Sequence, residues 1–230
     1  MPNFWSYITN DKYAVGCTGQ TVYVYDALGN EIARFKDLTY AYKAMFCPEH
    51  DTFVVKTTEG RLAVYSLNRM KLIKKFRFSK IDAGQDDGFC FSSDGKYFYN
   101  IERHIDGYNS CLSVYETSKF NKVKQLFLSD SAIVLEYIEY DDALGGLFVL
   151  GFMRGESGVI DYGFAAALNG DDLANITRLA DDQYYYVLGY KSLEIMGFTL
   201  LAKECSSLPY DGYDLENIEH IKLCDLICRK

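Results

Sequence analysis

Residues 89–127 read FCFSSDGKYFYNIERHIDGYNSCLSVYETSKFNKVKQLF and contain the clearest strand pattern of the chain. It contains an apolar strand, a turn, an aromatic strand, a polar hairpin, the strand LSVY, a polar turn and a last strand. Asp94-Gly95 supplies the first turn, because glycine adopts a positive φ without strain. Four strands in about forty residues indicate one antiparallel unit of a repeat protein.

The same order of segments occurs twice upstream, in residues 44–76 and in residues 4–35. Each copy has a polar turn between its first two strands and a third strand that ends near a Val-Tyr pair. These pairs recur at steps of roughly 40 and 50 residues, which is the period of four-stranded propeller blades. They are Val24-Tyr25, Val64-Tyr65 and Val114-Tyr115. The turn at Asp94-Gly95 is therefore one instance of a repeated unit.

The pattern FxxDGKYFY…LSVYE…VKQLF resembles the repeat of WD40-type and YVTN-type β-propellers. In those repeats a turn of the Asp-Gly kind precedes a strand that ends in an aromatic-polar pair, and Val24-Tyr25-Asp26 is the nearest match here. The Gly-His pair and the Asp-His-Ser/Thr-Trp network of standard WD40 repeats are absent. The resemblance implies an all-β fold, a β-propeller of four-stranded antiparallel blades.

We predict a single domain over residues 1–230 with five blades. Their approximate bounds are 4–37, 38–80, 81–130, 131–181 and 182–230. Beyond Asp130 the pattern weakens, and strands are expected at Ile133–Ile138, Leu147–Phe152, Gly158–Phe164 and around Ile176.

The C-terminal segment ENIEHIKLCDLICRK fits either a strand that closes the ring or a capping helix. We favour closure, because an open propeller exposes strand edges that invite aggregation. A six-blade count is the alternative if this segment belongs to a blade of its own.

Composition excludes several classes of function. The net charge of −8 opposes nucleic-acid binding, which depends on clustered Lys and Arg, and it favours a cationic partner. No apolar run approaches the 18 residues that a membrane span needs. Seven cysteines form an odd set without a CxxC pair, which is typical of a reducing compartment and predicts a cytoplasmic protein.

The residues do not form a recognisable catalytic or metal-binding motif. His50, His104 and His220 have no metal-ligand spacing, no Ser lies in GxSxG, and glycines are too sparse for a phosphate loop. We therefore predict no catalytic residue, no metal and no cofactor. Some five-bladed propellers are glycosidases with carboxylates from several blades around a funnel, and candidates here are Asp11, Asp51, Asp87, Glu136 and Asp182. Placement in solvated turns is the favoured interpretation for them.

Three functional hypotheses remain. The leading one is a monomeric, noncatalytic module that binds another protein with a basic surface, in one version as an inhibitor or immunity-type protein. The alternative is a carbohydrate-binding or glycoside-hydrolase-like five-bladed propeller, and the third is a degenerate structural domain. For the leading hypothesis, loop aromatics and neighbouring acids are the predicted binding residues: Tyr108, Tyr210, Tyr213, Asp211 and Asp214.

Overall fold

The structure, a computed structural model, consists of antiparallel sheets whose strands follow one another in chain order. It describes residues 2–76, 88–103, 110–127, 133–142, 145–154, 160–170, 173, 176–178, 184–187, 199–204 and 218–222. Within these residues there are four four-stranded sheets and one three-stranded sheet. No helix in the described part has the length and apolar character of a membrane span.

Each of the first three sheets is an up-and-down meander in which neighbouring strands pair. Sheet 1 contains β1 (Ser6–Thr9), β2 (Tyr13–Cys17), β3 (Val22–Asp26) and β4 (Glu31–Phe35). Sheet 2 contains β5 (Ala41–Phe46), β6 (Thr52–Thr57), β7 (Leu62–Ser66) and β8 (Lys71–Lys75). Sheet 3 contains β9 (Phe89–Phe91), β10 (Tyr97–Arg103), β11 (Ser110–Glu116) and β12 (Asn121–Phe127).

Sheets 4 and 5 continue the series. Sheet 4 contains β13 (Ile133–Asp141), β14 (Gly146–Arg154), β15 (Ile160–Asn169) and β16 (Ile176–Arg178). The described part of sheet 5 contains β17 (Tyr184–Val187), β18 (Thr199–Glu204) and β19 (Ile218–Lys222). The predicted four-stranded units are thereby confirmed for sheets 1 to 4.

Sheet 4 and the C-terminal segment differ in part from the sequence-based expectations, and β13 and β14 both extend beyond their predicted ends at Ile138 and Phe152. The third strand of sheet 4 continues to Asn169, beyond the predicted end at Phe164, because Ala165 to Asn169 pair with residues on β14. In the C-terminal segment, Ile218–Lys222 pairs with β18 as a strand, so the capping-helix alternative is wrong for these residues. Closure of the ring stays a prediction.

The three Val-Tyr pairs occupy equivalent positions. Tyr25, Tyr65 and Tyr115 are each the penultimate residue of the third strand of their sheet. Successive side chains of a strand point to opposite faces, so valine and tyrosine of one pair serve different interfaces. Val24 belongs to the apolar cluster between sheets 1 and 2, Val64 to that between sheets 2 and 3, and Val114 to that between sheets 3 and 4.

In sheets 2 and 3 the tyrosine of the pair packs in the other direction, against the preceding sheet. The ring of Tyr65 lies 4.5 Å from that of Phe35 at the end of β4, and the ring of Tyr115 lies 5.0 Å from that of Phe76, which follows β8. Burial of these rings and of the valines removes apolar area from water at roughly 25 cal/mol per Å². Stacking of sheet on sheet is thus the main stabilising contribution.

A β-bulge also repeats with the Val-Tyr pair. In sheets 1, 2 and 3 the register between the third and fourth strands shifts between the valine and the tyrosine. The extra residue of the fourth strand is Ile32, Ile73 or Val123, and each is 40–55% exposed. A bulge bends and twists the outer strand, which makes this edge a poorer template for pairing with another chain.

The turn at Asp94-Gly95 has the predicted conformation and a further constraint. Gly95 has a φ of 65°, and a Cβ on it would lie 2.1 Å from the carbonyl oxygen of Pro48 in sheet 2. Backbone of sheet 3 therefore approaches backbone of sheet 2 where only glycine fits.

We expect Val64→Asp to lower the free energy of unfolding by about 3 kcal/mol or more, because it places an unpaired carboxylate in an apolar layer. Val64 is fully buried. Ile73→Asp on the same sheet is the matched control, since Ile73 is 53% exposed, and its effect should be small. Urea denaturation measures both. A Val64→Asp protein with the same urea midpoint as the parent would show that the repeat alignment is wrong.

We expect Gly95→Ala to destabilise more than Gly29→Ala. Both glycines have positive φ, so alanine costs about 1–2 kcal/mol of backbone strain at either site. A Cβ at Gly29 meets nothing within 4 Å, whereas at Gly95 it collides with Pro48. The difference in melting temperature between the two variants measures the cost of the collision with Pro48. Equal losses of stability would show that this contact between sheets 2 and 3 does not matter.

Candidate binding surface

The meander gathers one set of turns at one end of the sheets. In an up-and-down sheet the first-to-second and third-to-fourth strand turns emerge at the same end, which we call the acidic end. Every sheet from 1 to 4 places carboxylates there, in its turns or at the adjoining strand ends. They are Asp11, Asp26, Glu31, Glu49, Asp51, Asp94, Glu116, Asp141 and Asp142.

Cations at the acidic end are fewer. The same turns and strand ends carry Lys12, Arg69, Lys71, Lys96 and Lys119. At the opposite end the described connections between strands carry two acids and two bases, Lys36, Asp37, Glu59 and Arg61. Glu59 and Arg61 form an ion pair at 3.1 Å. Among the described turns and strand ends the acidic end has nine acids against five bases, whereas the connections at the opposite end are balanced, so the excess of negative charge is confined to the acidic end.

Hydrogen bonds keep two of these carboxylates ionised in acid. The Lys96 side chain, the Ser92 hydroxyl and the Lys96 amide donate to Asp94 and lower the pKa of its carboxyl to about 2. Asn30 lowers the pKa of Asp26 with its side chain and backbone amide, and the Leu28 amide also donates, at 2.9 Å. Both turns thus hold their negative charge well below neutral pH.

The outward face of sheet 1, on the side away from sheet 2, carries a group of aromatic rings. Phe4 lies edge-on to Tyr23 and Tyr25 at 5.9 and 6.1 Å, and the two tyrosines stack at 6.3 Å. The guanidinium of Arg34 lies 4.9 Å above Tyr23. Tyr7 on the same face is 72% exposed.

A pocket of about 330 Å³ opens between this aromatic face and the acidic end. Its walls include Phe4, Tyr13, Ala14, Tyr25 and the turn residues Asn10 and Asp26. The sequence patterns did not predict this pocket. The sequence contains no signal for it, because the same Val-Tyr pattern is buried in sheets 2 and 3.

A second polar feature is buried between sheets 2 and 3. The ammonium of Lys56, 4% exposed, donates to Asn100 Oδ1 and to the Ile101 carbonyl oxygen, each at 2.9 Å. Glu102 accepts hydrogen bonds from the Tyr115 hydroxyl at 2.6 Å and from the Lys122 ammonium at 2.9 Å. Because these buried groups hydrogen-bond to one another, we assign the network a structural role.

We expect Glu102→Leu to cost about 1–3 kcal/mol, because the Tyr115 hydroxyl and the Lys122 ammonium lose their acceptor. Glu116→Leu, on the next strand of the same sheet and exposed, is the control and should change stability little. Equal chemical-denaturation midpoints for the two variants would show that the network does not contribute to stability.

The structure describes only some of the predicted site residues. Tyr108, Tyr210, Tyr213, Asp211 and Asp214 lie outside the described residues, and so do His104, Asp87 and Asp182. Asp11, Asp51 and His50 lie in first-to-second strand turns, as the turn interpretation predicts. His220 is on β19 and Glu136 lies at a bulge in β13.

One carboxylate that sequence reasoning missed is Glu139 on β13. It is partly buried, burial raises its pKa, and it accepts a hydrogen bond from the Tyr137 hydroxyl. Among the described residues no three His, Cys, Asp or Glu side chains come together in a way that could hold a metal ion.

Solved structures share this architecture. Hydrazine synthase of Kuenenia stuttgartiensis aligns over 84% of this chain and 58% of its own, with 16% identity and a TM-score of 0.63. The β-propeller domain of Myceliophteria thermophila Cps50 (Swd1) aligns over 88% of this chain and 70% of its own, with 11% identity and a TM-score of 0.56. The chain has a β-propeller fold.

The WD40 domain of Toxoplasma gondii coronin also aligns, over 75% of this chain and 44% of its own, with 12% identity and a TM-score of 0.54. No protein-family profile and no curated protein sequence matches the chain. At these identities the likeness concerns the propeller fold alone. The chain spans 58% of the hydrazine synthase chain that it resembles.

Proposed function

We propose that this propeller is a noncatalytic, cytoplasmic binding module whose acidic end engages a basic surface of another protein. The observation that carries the proposal is the collection of carboxylates from sheets 1 to 4 at one end, while the described charges at the other end balance. Loops that several blades present on one end form a natural binding surface. An inhibitor or immunity-type protein for a basic enzyme is the specific version.

Charge of this kind acts mainly on association. A negative end attracts a positive partner, raises the association rate and rejects partners of the same sign. Affinity then depends on a few buried anchors, often tyrosines, and the loop residues Tyr108, Tyr210 and Tyr213 are the candidates that the sequence supplies.

We expect charge reversal at the acidic end to weaken binding more than the same change elsewhere. Asp11→Lys with Glu49→Lys raises the net charge by four, and so does Asp37→Lys with Glu59→Lys near the opposite end. The two double variants thus have the same net charge and differ only in the end of the sheets that carries the new lysines. Tagged proteins would capture partners from the source cell, and surface plasmon resonance would give association rates with the captured protein.

The expected partner is basic, and its association slows as salt rises to physiological strength, where the screening length is about 8 Å. The pair at the acidic end lowers the rate, and the pair at the opposite end does not. Equal effects of the two pairs, or an association rate that ignores salt, would contradict the proposal. Hydrolysis of glycans that disappears in Glu136→Gln would favour the carbohydrate alternative instead.

A further inference from the structure

Two half-exposed aromatic rings belong to the end of sheets 1 and 2 that is opposite to the acidic end. Trp5, just before β1, is 47% exposed, and Tyr40, just before β5, is 50% exposed. The indole of Trp5 rests on the backbone of Gly19, where a Cβ would lie 2.6 Å from Trp5 Cη2. Gly19 and Ala41 exchange backbone hydrogen bonds at 3.1 and 2.8 Å. Both rings are therefore attached to one backbone platform at the joint of sheets 1 and 2.

The backbone of Tyr40 is strained, and packing of its ring does not explain the strain. Its φ is 59°, in the left-handed region that glycine adopts without cost. Met70 and Phe120 also have a positive φ, but their side chains pack into the apolar clusters between sheets. Glu49, with a φ of 59°, closes the first turn of sheet 2. Because such strain often persists where function requires it, the half-exposed ring of Tyr40 is a candidate binding group.

The surroundings of the two rings are polar and electrically balanced. The Tyr40 carbonyl oxygen accepts the amide of Thr58 at 3.0 Å, which places the second-to-third turn of sheet 2 beside it. Glu59 and Arg61 of that turn form an ion pair at 3.1 Å, and the described connections at this end balance in charge. Gln20, in the turn that supports Trp5, is exposed. A ligand for this surface needs apolar faces for the rings, polar groups for their neighbours and no net charge.

A neutral carbohydrate combines these properties. The C–H groups on one face of a sugar ring carry partial positive charge, and the face of an aromatic ring is negative through its quadrupole. Sugar hydroxyls can exchange hydrogen bonds with the side chains of Gln20 and Thr58. A protein partner would need a larger apolar area than two rings among polar groups provide. We propose that Trp5 and Tyr40 form a binding platform for a neutral oligosaccharide, separate from the acidic end and independent of the proposed function.

The probes are an array of neutral and acidic glycans and then isothermal titration with the neutral oligosaccharide that binds best. Trp5→Ala removes one ring. Tyr40→Gly removes the other and should not lower the melting temperature, because relief of backbone strain offsets the added freedom of the unfolded chain. Tyr97→Ala is the matched control, since it deletes a 36% exposed ring at the start of β10, which lies at the acidic end.

We expect Trp5→Ala and Tyr40→Gly each to weaken the neutral oligosaccharide by about tenfold or more. Tyr97→Ala and the Asp11→Lys, Glu49→Lys pair should leave its binding unchanged. Trp5 is the single tryptophan, so its fluorescence should change when the sugar binds to the parent protein. Because the two platform variants lie in different segments, failure of one to fold still leaves the other as a test.

Other outcomes overturn the inference in distinguishable ways. Absence of any neutral glycan from the bound set, or equal losses in Trp5→Ala and Tyr97→Ala, would show that the two rings are not a sugar platform. If no glycan binds while Trp5→Ala and Tyr40→Gly weaken the basic partner, the rings belong to that interface and the proposed function stands. If the sugar binds as expected and no basic partner is found, the proposed function fails alone.

Discussion

Packing of a tyrosine from one sheet against a phenylalanine at the end of the preceding sheet is the contact on which the row of sheets depends. It joins sheets 1 and 2 through Phe35 and Tyr65, and sheets 2 and 3 through Phe76 and Tyr115. Because the neighbouring valine points the other way, one dipeptide contributes to two interfaces. A short pattern can therefore specify the stacking of a sheet on both of its faces.

The bulge beside each Val-Tyr pair has a separate consequence. It leaves Ile32, Ile73 and Val123 on the exposed outer strand, where a regular strand with apolar residues would invite pairing with another chain. Local bending and the lysines of β8 oppose such pairing. Core packing and protection of the edge are thus encoded within a few residues of each other.

Sequence reasoning predicted the parts that repeat. The Val-Tyr pairs predicted the third strands, and Asp94-Gly95 predicted the turn. It missed the bulges, which depend on the register between strands, and it missed Lys56, whose acceptors come from another sheet. The end of β15 was wrong for the same reason, since its extension follows from pairing with β14. The loop tyrosines and ring closure stay predictions.

The pocket could not be found from the sequence because its residues obey the same pattern as buried ones. Tyr25 differs from Tyr65 only in what lies against it, which is a property of tertiary structure. The same reasoning separates the two parts of the proposed surface. Exposed carboxylates spread over four sheets act at long range and govern the rate of association, whereas buried anchors act at contact and govern the rate of dissociation. Salt should therefore change the association rate, and substitution of the anchoring side chains should change the dissociation rate.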